Sequence, residues 1–157
     1  MPQVLGEGLW RAQQAWPGSF LCAVSAHGMR PDGSTAQDGL WCLLFRDGEK
    51  VRALVRVQGA WTAQEEPPVV GEAVPRKPIA PTEIVHSREL AERLCGLRGF
   101  DAWQGRPEDA LWIGTREDHI VAVLSSAGTA TLTVNARDPS QVLSMDFEPV
   151  QWAGDPV

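Results

Sequence analysis

The chain contains no tyrosine, three cysteines, and only two lysines, Lys50 and Lys77, among its 14 basic residues. Three cysteines cannot all pair. Cys22, Cys42 and Cys95 stand far apart, with no CxxC and no nearby His to complete a zinc set. A disulfide scaffold is therefore excluded, and no metal or other cofactor is expected. No run approaches the roughly 18 consecutive apolar residues of a membrane-spanning helix. The stretch Met1 to Trp16 carries Glu7 and Arg11 and lacks the basic and apolar regions of a secretory signal. As written, the chain is expected in the cytoplasm, and in the periplasm or exported if a signal has been removed. A net charge of −6 and a pI near 5.0 argue against nucleic acid as a partner. Neither phosphate-cradle motif, GxGxxG or GxxxxGK[ST], occurs, and no serine sits in a GxSxG elbow. The residue pattern therefore reads as that of a non-enzyme. The dominance of Arg over Lys is the composition of a GC-rich bacterial genome.

What is present is a chain of 157 residues, 43% hydrophobic, long enough for one full core or two small fused ones. Leu5, Leu9, Ala12 and Trp16 fall at helical spacing, and Pro17-Gly18 ends that helix. Ser19 to Ser25 is a short β-prone run, followed by a loop from His27 to Asp38. Leu40 to Phe45 and Val51 to Val57 flank Asp47-Gly48, the pair favoured in a type I′ hairpin turn. From Gln64 to Pro81, five prolines and three glutamates predict a stiff extended connector. Ser87 is placed to cap a second helix carrying Leu90, Ala91, Leu94 and Cys95, stopped by Gly96. Four strand-like runs follow: Ala110 to Thr115, Ile120 to Ser125, Thr129 to Ala136, and Gln141 to Phe147.

This order predicts an α+β fold of two related α-β-β-β units, each helix packed on its own antiparallel meander. The units would span residues 1–62 and 84–157, with the connector at 63–83. Leu40-Trp41 and Leu111-Trp112 lie 71 positions apart, which fits a repeat of that length.

Ala12 to Ala15 followed by Trp16-Pro17, the run Leu21 to Ser25, Asp38-Gly39-Leu40-Trp41 with Phe45 behind it, and Ile84 to Ala91 with Ser87-Arg88-Glu89-Leu90-Ala91 resemble tandem PepSY-like, cystatin-like modules. The resemblance implies a non-catalytic module that binds or inhibits a partner. Many such modules are exported, a point on which this chain, lacking an export signal, departs from the pattern.

The hairpin supplies the candidate contact site. Alternation puts Leu40, Cys42, Leu44, Val51, Ala53 and Val55 on one apolar face, the expected core. The opposite face mixes Trp41, Leu43 and Phe45 with Arg52 and Arg56, the aromatic and guanidinium composition that binding hot spots favour. These five residues are the candidate partner-binding set. The plainer alternative is that another layer covers the aromatics while the arginines reach the rim. Trp61 and Trp103, in loop-like segments, are the expected exposed rings, and Trp152 is expected to clamp the tail.

The partner expected is another protein. Alternatives are an immunity protein using Glu65, Glu66, Glu108, Asp109, Glu117 and Asp118 against a basic toxin, a small-ligand carrier or enzyme with a pocket between helix and sheet, and self-association into a homo-oligomer.

Overall fold

A computed structural model describes residues 2–65, 74–80, 86–95, 103–117, 119–126 and 130–147. Among these, the chain forms α1 (Pro2–Ala15), β1 (Phe20–Met29), β2 (Thr35–Asp47), β3 (Lys50–Val57), β4 (Ala60–Gln64), α2 (Ser87–Cys95), β5 (Ala110–Arg116), β6 (His119–Ser126), β7 (Ala130–Asn135) and β8 (Asp138–Phe147). All eight strands belong to one antiparallel sheet, in the order β4-β3-β2-β1-β5-β6-β7-β8.

That single sheet overturns the expectation of α+β units with separate meanders. The molecule is sheet-dominated, with helices of only 14 and 9 residues. The seam is β1 against β5, where Ala23, Val24, Ser25, Ala26 and His27 pair with Gly114, Ile113, Trp112, Leu111 and Ala110. Each group of four strands would otherwise expose an inner edge of unpaired N–H and C=O groups, and joining the two removes both edges. The 71-residue spacing does not mark equivalent positions. Leu40-Trp41 lies in β2 and Leu111-Trp112 in β5, with Trp41 and Trp112 on opposite faces of the sheet.

The register defines the core face. Across the sheet run Trp41, Ala26, Leu111, Leu124 and Leu132, and beside them Leu43, Val24, Ile113, Ala122 and Val134, all buried. The α1 stripe of Leu5, Ala12 and Trp16 joins this core, as do Leu90, Ala91 and Leu94 of α2. Core and opposite faces of the β2–β3 hairpin are therefore the reverse of the expectation. Trp41, Leu43, Phe45 and Leu54 lie under α1, whereas Leu40, Cys42, Leu44, Val51 and Val55 are half-buried on the far side. The physical reason is volume: large rings fill the gap between a helix and a sheet, a task for which Cys42 and Ala53 are too small.

The turns also differ from the expectation. Asp47 pairs with Lys50, so Gly48-Glu49 is the central pair, and Gly48 takes φ 63° as a type II′ turn requires at its first position. Gln58 and Gly59, with φ of 52° and 79°, form a further tight turn into β4, a strand the apolar pattern did not reveal. The loop expected from His27 to Asp38 shrinks to residues 30–34, because β1 runs to Met29 and β2 starts at Thr35.

The described part of the connector is tied to one end of the sheet. Arg46 donates from Nε to the Pro75 carbonyl (3.1 Å) and from a terminal nitrogen to that of Val74 (2.8 Å), and the Ile79 N–H donates to the Leu21 carbonyl (2.9 Å). On the far face, the Trp112 ring lies over Gly114 beside Pro75, and the Arg116 guanidinium sits 5.3 Å from its centroid.

At the other end, α2 docks on the β1–β2 loop. His86, rather than Ser87, caps this helix: its carbonyl accepts from Glu89 N–H and its Nδ1 from Arg88 N–H at 3.1 Å. Partial burial holds the His86 ring below its ordinary pKa, which keeps that nitrogen an acceptor. Ser87, fully buried, instead donates its hydroxyl to the Gly33 carbonyl (2.7 Å). Gly33 has φ 83°, and a Cβ there would meet the backbone of Ser87 and Arg88, with the Ser87 carbonyl carbon at 2.7 Å. Gly33→Ala is expected to lower unfolding free energy by more than about 1 kcal/mol, from strain and lost contact together. Urea denaturation checks this, and an unchanged midpoint would contradict it.

Candidate functional site

The five residues expected to meet a partner divide into two groups. Trp41, Leu43 and Phe45 are at most 2% exposed beneath α1, so they are structural anchors as the chain is folded. Arg52 and Arg56 face the same way from β3 but emerge at the rim, half-buried, opposite Phe45 and Trp41. The guanidinium of Arg52 lies 3.8 Å from Asp47 and donates to the Glu65 carbonyl at 2.7 Å. That of Arg56 lies 3.9 Å from Glu7. Neither Nε atom makes a hydrogen bond. Half-exposed ion pairs of this length add at most about 1 kcal/mol.

Glu7 gathers this flank. It sits on α1, accepts the Trp61 indole N–H at 3.1 Å, and lies one turn from Trp10. Trp10 is 62% exposed, the largest fraction among the large apolar side chains described. Trp61 is half-buried against α1, next to Gly8. The sequence reading missed Trp10, although its position off the Leu5-Leu9-Ala12-Trp16 stripe was the signal that would have found it. Trp103 was expected to be an exposed ring. It is fully buried, with its indole donating to the Ser125 carbonyl at 2.9 Å. Trp152 lies outside the described residues.

Of the acids named for an immunity surface, the described Glu108, Asp109 and Glu117 do not form one exposed cluster. Asp109 is fully buried and accepts from the N–H groups of Gln104 (2.7 Å) and Arg106 (3.0 Å) and from the Arg106 side chain (3.1 Å), which fastens loop 103–109. Glu108 and Glu117 flank opposite ends of β5, roughly 20 Å apart at strand rise. Glu66 and Asp118 lie outside the described residues.

Asp32 accepts from both the N–H and hydroxyl of Ser34, at 2.9 and 2.6 Å, and these bonds hold its carboxyl below the ordinary range. Asp32 and Ser34 thus close a local turn between β1 and β2. Among the described residues, no group of three or more His, Cys, Asp or Glu is placed to hold a metal.

One cavity of about 320 Å³ opens between the end of α1, the start of β1 and the connector. Leu9, Ala12, Trp16, Leu21, Phe45 and Ile79 make its apolar wall. The rings of Trp16 and Phe45 meet there at 6.0 Å and 50°. Gln13 and Ser19 stand among the polar lining.

No family model and no curated protein matches this chain. Among solved structures it is similar to one described as "a putative lipoprotein" from Clostridium difficile 630, with a TM-score of 0.60 over 90% of this chain and 91% of that one. Identity is 7%, so the likeness concerns the fold alone. Among the described residues, no helix is long and apolar enough to cross a membrane.

Cys22 and Cys42 are free thiols. Burial pushes Cys22 up to about 11 and raises Cys42, so both are held protonated at neutral pH. At pH 8, in a Cys95→Ser background, Cys22 is expected to react with a thiol reagent about a hundredfold more slowly than in the denatured chain, from the lost thiolate fraction. Peptide mass spectrometry of the labelled protein measures this, and labelling at the denatured rate would contradict it.

Proposed function

We propose that this chain is a non-catalytic protein-binding module whose contact surface is the flank formed by α1, β3 and β4. The observation that carries the proposal is the 62% exposed Trp10 beside the Glu7–Trp61–Arg56 cluster. Exposed indoles set among arginines are the composition from which binding hot spots are drawn. The PepSY-like resemblance at Ala12 to Trp16 and at Asp38 to Phe45 points to the same class of role. The free thiols of Cys22 and Cys42 suit a reducing, cytoplasmic setting, which we adopt as the location.

Affinity capture from a native bacterial lysate tests this reading. Trp10→Ala changes only an exposed side chain and is expected to alter stability by less than about 0.5 kcal/mol. It should nonetheless weaken retention of a specific protein by at least about tenfold, as truncation of a hot spot does, and Arg56→Glu should do the same. A partner held equally by wild type and both variants, or none held by the wild type, would overturn the proposal.

A further inference from the structure

The sheet has a second broad face, turned away from the core that α1 and α2 complete and from the Trp10 flank. The register aligns Val55, Cys42, Ser25, Trp112, Val123 and Thr133 in one row of it, across β3, β2, β1, β5, β6 and β7. Leu40 and Val57 belong to the next row on one side, Leu44 and Val121 to the next on the other. From β4 to β7 these three rows hold no Lys, Arg, Asp or Glu, in a chain of which 22% is charged. Charge stands at the margin instead: Arg46 and Arg116 lie beyond one end of the rows, and Asp138 and Asp146 hold positions on the edge strand β8. A solvated face of an antiparallel sheet carries polar and charged residues opposite the apolar ones. This face does not. Pro75 lies against Gly114 at one corner, while Val55, Cys42, Ser25, Trp112 and Val123 are half-buried and Val57 is 39% exposed.

An uncharged centre inside a charged margin is the anatomy of a protein interface, and interfaces between identical chains are the more apolar ones. Seven strands about 4.8 Å apart and three rows about 6.7 Å apart make a face of roughly 700 Å². That is close to the roughly 800 Å² that each partner gives to a stable interface. Sheet faces pack on one another about 10 Å apart with their side chains interleaved. A face set against its own copy meets its own charges, and like charges brought together oppose association. The three rows from β4 to β7 carry no such charge to oppose it. A two-fold pairing also closes, because each copy covers the same face of the other. We infer that a second copy of this chain covers this face, giving a two-fold dimer packed sheet on sheet, a contact separate from the one on the Trp10 flank.

Sedimentation equilibrium of the full chain between about 1 and 200 µM tests this, and a reversible monomer–dimer equilibrium with a Kd in the micromolar range or below is expected. Val55→Lys and Val123→Lys each set like charges against their copies and should weaken the dimer at least about tenfold, with the circular dichroism spectrum unchanged. Trp10→Ala should leave the dimer intact, so this inference and the proposed contact with another protein fail separately. In the wild type, alkylation of Cys42, followed by peptide mass spectrometry, should slow at least about tenfold as the dimer fills and access to the thiol closes. That readout decides the matter should the lysine variants fail to fold. A chain monomeric throughout would leave the face to a different occupant and overturn the inference. A dimer indifferent to both lysine variants, a dimer lost in Trp10→Ala, or a Cys42 rate independent of protein concentration would overturn it as well.

Discussion

An antiparallel group of four strands is left with two open edges, and in this chain the pairing of β1 with β5 closes one edge of each group. Five residue pairs form that seam, and four of them include a small residue, as where Ala23 faces Gly114 and Ala26 faces Leu111. The rest of the structure depends on this pairing. It aligns Trp41, Ala26, Leu111 and Leu124 in one continuous row, so that the helices cover a single apolar face instead of two small ones. It also brings the Met29 N–H to the Asp109 carbonyl and the Gly105 N–H to the Met29 carbonyl, which extends the join beyond the strands themselves.

The distribution of side-chain size follows from where the helices lie. Phe45, Trp41 and Trp16 fill the space between α1 and the sheet, and truncating such a ring costs about 3–5 kcal/mol. The far side of the same hairpin uses Cys42, Ala53 and Val55, and Arg46 brings the connector at Val74 and Pro75 against its end. Past the last turn of α1, beside the Trp16–Phe45 pair, the cavity opens. At the other margin, where β3 and β4 pass beyond the helix, the arginines and Trp61 reach the surface. The cavity and the exposed flank are thus both consequences of one short helix covering part of a wide sheet.

Much of the element order was legible in the sequence. Helical spacing placed α1, the apolar stripe after Ser87 placed α2, and Asp47-Gly48 separated β2 from β3. The side of the hairpin that faces the helix was not legible, because both faces are apolar enough to be a core and alternation gives the two sets without saying which is inside. The β1–β5 seam was not legible either, since strand pairing across more than 80 residues leaves no local mark. Trp103 misled because its loop is buried by the Asp109 hydrogen bonds, a non-local cause. Trp10 could have been found, since it lies off the apolar stripe of its own helix. The Gln58-Gly59 turn and β4 were hidden because Ala60 to Gln64 is only five residues long with Trp61 as its single large apolar side chain.

The central claim is that one sheet, joined at β1 and β5, forms a single cooperative unit, and native-state amide hydrogen exchange tests it most directly. The account predicts that the amides of Val24, Ala26, Leu111 and Ile113 are among the last to exchange, opening only with global unfolding, while those of the edge strands β4 and β8 exchange earlier. Seam amides that exchange as fast as the edges, with two separately opening halves, would contradict it.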